Sequence, residues 1–333
     1  VNDVDEKVPR LRQRRLAAVA PSDSVASVAA KAELLRRLEL LITRRLDGVM
    51  TGDFLGVRSG PGTEPAGARV FSPGDDARRM DWNLTARSLV PHVRTTEADR
   101  ELEAWIIADR SASLDFGTAQ REKRDVVLAA VAAFGFLVVR GGNRLGLLVC
   151  GGDDVGRIEP ASSRTALLSA LSRLYDSPRR AHGPAERADL AATLTHFERL
   201  QRRRGQLVVI SDFLDGSDWP APLRRISIRH HVVAVQVIDP REFELPSVGI
   251  LALVDTETGQ TMHVQTKSER LRERYAVAAT ERHDSIAARL RAAGAQHVVL
   301  STGRDWLTDI TRFVGQQRHA QRRVARSPYG SVR

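Results

Sequence analysis

The sequence predicts an α/β protein: a mostly parallel sheet with helices on both faces, preceded by an N-terminal helix and a small β-rich module. Three observations predict it. From Glu103 onward, short runs of Val, Ile and Leu alternate with helical patterns. Those runs are continuously apolar, as strands covered on both faces require. And 333 residues, 42% hydrophobic and 28% charged, suffice to bury such a core.

The elements follow in order. Residues 1–22 are basic, end in Pro21-Ser22 and read as a flexible arm. Residues 23–50 hold a helix from Ser24 to about Leu46, with Leu34, Leu35, Leu38, Leu41 and Ile42 at helical spacing and Gly48 to end it. Residues 51–101 are richer in Gly and Pro and read as a strand-and-loop module with tight turns at Pro61-Gly62 and Pro73-Gly74. Residues 102–316 form the sheet domain. Its strands are expected at Ala104–Ala108, Leu145–Cys150, Leu207–Ile210, Val232–Ile238 and His297–Leu300. Its helices are expected at Lys123–Val139, Thr165–Tyr175, Leu190–Arg203, Ser268–Ala293 and Asp305–Gln316. Gly249–Gln265 reads as a hairpin added to the sheet, with Glu257-Thr258-Gly259 at its tip. Residues 317–333 form a basic, frayed tail.

Composition excludes several classes. A lone cysteine, Cys150, rules out a disulfide framework and a Cys-based zinc site. The longest apolar run, Val126 to Val139, falls short of the ~20 residues of a membrane span and reads as a buried helix. The opening VNDVDEK does not resemble a secretory signal. A cytoplasmic protein without a transmembrane segment is the expectation. The net charge is +10, and only Lys7, Lys31, Lys123 and Lys267 among the 51 basic residues are lysine. That field favours acidic partners, and arginine-rich ends make nucleic acid a rival partner. Few aromatic residues lie among the arginines, so base-stacking surfaces are not evident.

The chemistry concentrates where the first sheet strand ends. In AWIIADRSASL, residues 104–114, the apolar run stops at Asp109, and hydroxyls follow at Ser111 and Ser113. A turn with a helix cap is the structural reading. The functional reading is a socket for a hard cation. In open α/β sheets, ligands gather beyond the carboxyl ends of strands, at switch points of strand order. Asp212, in QLVVISDFLD, ends another such strand. Two carboxylates and two hydroxyls suit Mg²⁺ or Mn²⁺ rather than Zn²⁺. No G-x-x-x-x-G-K-[ST] loop is present, so no P-loop ATP site is legible. Ser111 also stands where aspartyl-nucleophile phosphatases commonly carry a second Asp.

Asp109-Arg110-Ser111-Ala112-Ser113 resembles the D-x-S-x-S metal-ion-dependent adhesion motif of von Willebrand factor A domains. Upstream, FSPGDDARRMDWNLTARSLVPHVRTTE, Phe71 to Glu97, resembles the P-G-D-D and D-W block of the domain-of-unknown-function-58 family, which joins that block to a von Willebrand A-like domain. The resemblance runs from about Leu46 to Gly315. It implies a von Willebrand A-like fold and a site built from Asp109, Ser111, Ser113 and Asp212. It also implies a middle loop usually reading G-T-D-L; here that loop is Arg187-Ala188-Asp189-Leu190, so Ala188 replaces an expected Thr hydroxyl and Asp189 remains.

The resemblance further implies a MoxR-type AAA+ ATPase as partner, with an unknown client protein and chaperone-like assembly or maturation. The expected function is non-enzymatic, metal-dependent protein interaction. A metal-dependent hydrolase of phosphoesters or peptides is the alternative, though no well-placed base is legible; nucleic-acid binding through the termini is the third reading. Asp75, Asp76, Arg78, Arg79, Asp81, Trp82 and Arg87 read as a latch fastening the small module to the sheet domain, with Trp82 as an apolar anchor. Arg202-Arg203-Arg204 before Gly205 read as a helix C-terminus and its cap, and His230-His231 as surface or edge residues.

Overall fold

The computed structural model describes residues 25–46, 64–97, 103–117, 121–151, 156–179, 189–254 and 260–325. The expected arm, the Pro61-Gly62 turn, Ala188 and the hairpin tip lie outside them.

The centre is a six-stranded sheet of β3 (Glu103–Asp109), β4 (Arg144–Cys150), β5 (Arg157–Ala161), β6 (Gln206–Ser211), β7 (His231–Ile238) and β10 (Gln296–Ser301). Their spatial order is β10-β7-β6-β3-β4-β5. All neighbouring pairs are parallel except β4 and β5. In the order in which the sheet strands occur along the chain, this is the 3-2-1-4-5-6 sequence of a doubly wound fold. The von Willebrand A-like sheet that the sequence predicts is present. β5 and α6 (Pro220–Ser227) are additions to that expectation.

Side chains of successive strand residues point to opposite faces, and each face has its own core. On one face, Ala104, Ile106 and Ala108 of β3 pack with α3 (Lys123–Arg140), α4 (Arg164–Asp176), α8 (Trp306–Ala325) and, through Leu35 and Ile42, α1 (Val25–Leu46). On the other, Trp105 and Ile107 pack with α5 (Leu190–Leu200), α6 and α7 (Glu269–Ala292). α3 is buried nearly all round, which explains its unbroken VVLAAVAAFGFLVV run. Among the described residues, no helix is long and apolar enough to cross a membrane.

Several expectations are corrected. β8 (Ile250–Val254) and β9 (Thr261–Gln265) form a separate two-stranded sheet and do not extend the central one. The 317–333 tail is helical as far as Ala325, as part of α8. α5 stops at Leu200, so Arg202–Arg204 lie beyond it. Gly205 serves a close approach instead of a cap: a Cβ there would lie 2.3 Å from the Glu103 carbonyl oxygen. His230 is buried against Phe197, with ring centroids 5.3 Å apart.

The small module pairs β1 (Glu64–Val70) antiparallel with β2 (His92–Glu97) around α2 (Trp82–Ser88). Among the described residues, no hydrogen bond or ion pair of its charged cluster reaches the sheet domain, as the expected latch would require. Asp75 accepts from Arg69 at 2.7 Å and from the Ser72 amide at 2.8 Å. Asp76 accepts from the Arg78 amide, and Asp81 caps α2 through the Leu84 amide and pairs with Arg94. All these bonds close inside the module. Arg87 lies in the last turn of α2, where a cation complements the helix dipole. Trp82 is 66% exposed, so it is not the buried apolar anchor expected. The reason is local: each acid is consumed by a turn or cap within a few residues of itself.

Candidate functional site

β3 and β6 are adjacent in the sheet, and their register pairs Ala108 with Ile210. The chain leaves β3 toward one side of the sheet and β6 toward the other, so this is the topological switch point. Asp109 is the last residue of β3, and Asp212 immediately follows β6. The two predicted acids therefore emerge side by side, and both are buried.

Short backbone devices hold the cluster. Asp109 Oδ1 accepts from the Ser111 amide at 2.8 Å, and its Oδ2 accepts from Ser211 Oγ at 2.6 Å. Ser211 Oγ in turn accepts from the Phe213 amide at 2.9 Å. Phe213 has φ +58°, a left-handed conformation rare for a bulky residue. That kink after Asp212 is locked by burial of the Phe213 ring against Trp219. A single 3-10 turn, Ala112–Leu114, carries Ser113 back toward β6. Ser111 Oγ and Ser113 Oγ are 2.9 Å apart, and Ser113 Oγ donates to Asp212 Oδ2 at 2.7 Å. Asp212 Oδ1 accepts from the Leu214 amide at 3.1 Å.

Asp189 has a different set of hydrogen bonds. It caps α5 by accepting from the Ala192 amide at 2.7 Å, and among the described residues none of its hydrogen bonds reaches the Asp109–Asp212 cluster. The structure thus brings together Asp109, Ser111, Ser113 and Asp212 but gives Asp189 a capping role. The neighbouring acid Asp215 accepts from the Leu190 amide and from Ser217, so it too supports the start of α5.

Sequence reasoning missed three members of the site. Lys123, the first residue of α3, is 1% exposed and donates to Asp212 Oδ2 at 2.8 Å and to Glu242 Oε1 at 2.6 Å. Glu242 belongs to the 3-10 turn Pro240–Glu242 after β7, and its Oε2 accepts from the Asp239 amide at 3.1 Å. His283 of α7 lies 3.8 Å from the same oxygen and stacks on Phe243. After Lys123 and Glu242, the third is Ser211, bridging Asp109 to the Phe213 turn. One signal for Lys123 was available: a rare lysine just ahead of a long apolar helical run in an arginine-rich chain. Glu242 lies 119 residues away, with no spacing to connect it.

The electrostatics follow from burial and charge. Burial raises Asp109, and the nearby Asp212 carboxylate raises it further, to about 7. Burial also opposes ionisation of Asp212, but Lys123 and the hydrogen bonds it receives outweigh that and lower its pKa. Lys123 loses hydration, yet Asp212 and Glu242 more than compensate and raise it, so it is an ammonium. Burial raises Glu242 despite Lys123. His283 is lowered, first by burial and then by Lys123, and is neutral at pH 7. The network thus sets three carboxyl groups, Asp109 among them about half protonated near pH 7, around one ammonium.

The residues from 67 to 285 match the family model described as "Protein of unknown function DUF58". The chain belongs to this family. DUF58 relatives include protein Rv1480 of Mycobacterium tuberculosis strain H37Rv, 47% identical over 287 residues, which are 86% of this chain and 90% of that protein. Among solved structures the chain is similar to an aerotolerance-related membrane protein of Bacteroides fragilis, with a TM-score of 0.42 and 15% identity over 66% of this chain and 99% of that one. It is also similar to a von Willebrand factor type A protein of Catenulispora acidiphila, with a TM-score of 0.32 and 14% identity over 67% and 43% of the two chains.

In this DUF58 chain, the residues able to meet a cation are Ser111, Ser113, Asp212 and Asp109. Among the described residues, no three His, Cys, Asp or Glu side chains converge as a metal cage. Two carboxylates with two hydroxyls make a hard, oxygen-only donor set. Burial first and the Asp212 carboxylate second raise Asp109, and a divalent cation would offset the second of these.

Proposed function

We propose that this protein is a non-enzymatic docking module whose contact point is a divalent cation, Mg²⁺ or Mn²⁺, held at the switch point of the sheet. The observation that carries this reading is the convergence of Asp109, Ser111, Ser113 and Asp212 from two separate loops. Ser111, Ser113 and Asp212 would face the ion, and Asp109 would act directly or through water. The cation would supply one open coordination position for an acidic side chain of a partner. The protein's own part is to fix the oxygens: the Phe213 turn and Ser211 aim Asp109, and the 3-10 turn aims Ser113.

Membership of DUF58 supports a MoxR-type AAA+ ATPase as the partner, with energy coming from that ATPase and an unknown client protein being assembled or matured. The test is capture of a purified MoxR-type ATPase on immobilised protein. Capture in Mg²⁺ that is lost in EDTA, and lost in Asp109→Ala with an unchanged circular dichroism spectrum, is the expected result. Capture that survives both treatments contradicts the cation-bridged mechanism.

A further inference from the structure

Lys123 is the group this function does not use. It is a fully buried lysine whose ammonium bridges two carboxylates, one of them, Asp212, in the cation cluster, the other, Glu242, outside it. A divalent ion and an ammonium cannot share Asp212 Oδ2 at hydrogen-bond distance without strong repulsion. Ser113 Oγ already donates to the same oxygen at 2.7 Å. One of the donors must give way when an ion takes that lone pair. A serine hydroxyl can turn and become a ligand. The ammonium has no such option, but it has a second carboxylate to fall back on.

We propose that Lys123 is the resident cation of this site and its gate: an incoming divalent ion takes Asp212 Oδ2 from Lys123, which then rests on Glu242 alone. This rests on the cation-docking reading above and adds how occupancy is regulated. Two consequences follow from the geometry. First, affinity for the bare ion is held down by an internal competitor, so the ion is retained best when a partner carboxylate joins it. Second, occupancy is felt outside the site. Glu242 belongs to the turn after β7, stands 3.8 Å from His283 of α7, and is followed by Phe243, whose ring lies 4.3 Å from that of His283. A shift of the ammonium toward Glu242 therefore changes the charge presented to α7.

The choice of lysine fits this role. A guanidinium would bind the same carboxylates through a rigid fork, whereas an ammonium is a compact charge on a flexible stem. In a chain whose other basic positions are overwhelmingly arginine, this one carries lysine.

The test uses ¹⁵N-lysine-labelled full-length protein, in which four lysines give few ammonium signals. The Lys123 signal is assigned by its absence in Lys123→Met. Mg²⁺ titration is followed by NMR, and Mg²⁺ affinity by calorimetry, in the wild type, Lys123→Met, Asp109→Ala and Lys123→Met/Glu242→Gln. The expected result is a shift of the Lys123 ammonium signal that saturates with Mg²⁺ binding. Binding should be at least about tenfold tighter without Lys123, since the competing charge is gone. Lys123→Met leaves two carboxylates buried without their cation; the double variant relieves this and gives the same assignment, so the wild-type signal carries the test even where the single variant does not fold. Mg²⁺ binding that depends on Asp109 but leaves the Lys123 signal unmoved overturns the gate and leaves the docking site standing. Absence of Mg²⁺ binding in all folded forms, wild type included, overturns both.

Discussion

Ser211 does more for the site than its place at the end of a strand suggests. Its hydroxyl donates to Asp109 and accepts from the amide of Phe213, so one oxygen ties the first loop to the kink of the second. Asp109 is the consequence: an acid held in place by two donors yet raised to about 7 by burial and by Asp212. Its folded pKa lies above the ordinary value of 3.8, so the folded state binds the extra proton between those limits. The contribution is fully present below about pH 4 and is lost as pH rises through about 7. In chelator, the stability of Asp109→Asn relative to wild type should therefore rise across that window, by more than about 1 kcal/mol, because one pKa unit is worth about 1.4 kcal/mol. Urea unfolding at several pH values measures it; parallel curves for the two proteins would contradict the assignment. Saturating Mg²⁺ should flatten the difference by holding Asp109 ionised. At this scale the sequence showed the acids and hydroxyls, because D-x-S-x-S is local. It concealed Lys123 and Glu242, whose link to Asp212 exists only after β3, β6 and β7 align.

At the scale of elements, legibility followed length and burial. The five parallel strands are continuous Val, Ile and Leu runs and were visible at once. β5, RIEPA, is an edge strand of five residues with a proline and charges, a pattern that marks protected edges rather than strands. α6, PAPLRRIS, opens on prolines and is only eight residues long, too short for its period to be read. Glycines separate packing from propensity. Gly205→Ala would place its Cβ against the Glu103 carbonyl, where backbone cannot yield, and should cost about 1–3 kcal/mol. Gly315→Ala, inside α8 with open space around it, should add about 0.5–1 kcal/mol. Thermal or urea unfolding of the pair checks both signs. α1 gives a third comparison. Ile42 is buried in the first core, so Ile42→Ala should cost about 2–4 kcal/mol. Arg45 reaches Asp305 at 3.2 Å with both side chains about half exposed, so Arg45→Ala should cost under about 1 kcal/mol. Equal costs would mean that α1 docks by charge and not by packing.

For the whole molecule, topology turns a short motif into a site. The doubly wound order puts Asp109 and Asp212 at the ends of neighbouring strands whose connections leave in opposite directions, and nothing in the linear spacing of 109 and 212 requires that. The small module behaves differently: its acids spend themselves on its own turns, and Trp82 is left on the surface. The account rests on a divalent ion held by the two loops. The most direct measurement is a Mn²⁺ titration followed by electron paramagnetic resonance, on the wild type and on Asp109→Ala and Ser113→Ala. The expected result is one protein-bound Mn²⁺ per wild-type chain, displaced by Mg²⁺ and weakened in both variants. A titration in which the free Mn²⁺ signal rises identically with and without the protein, or binding unchanged by either substitution, would contradict the account.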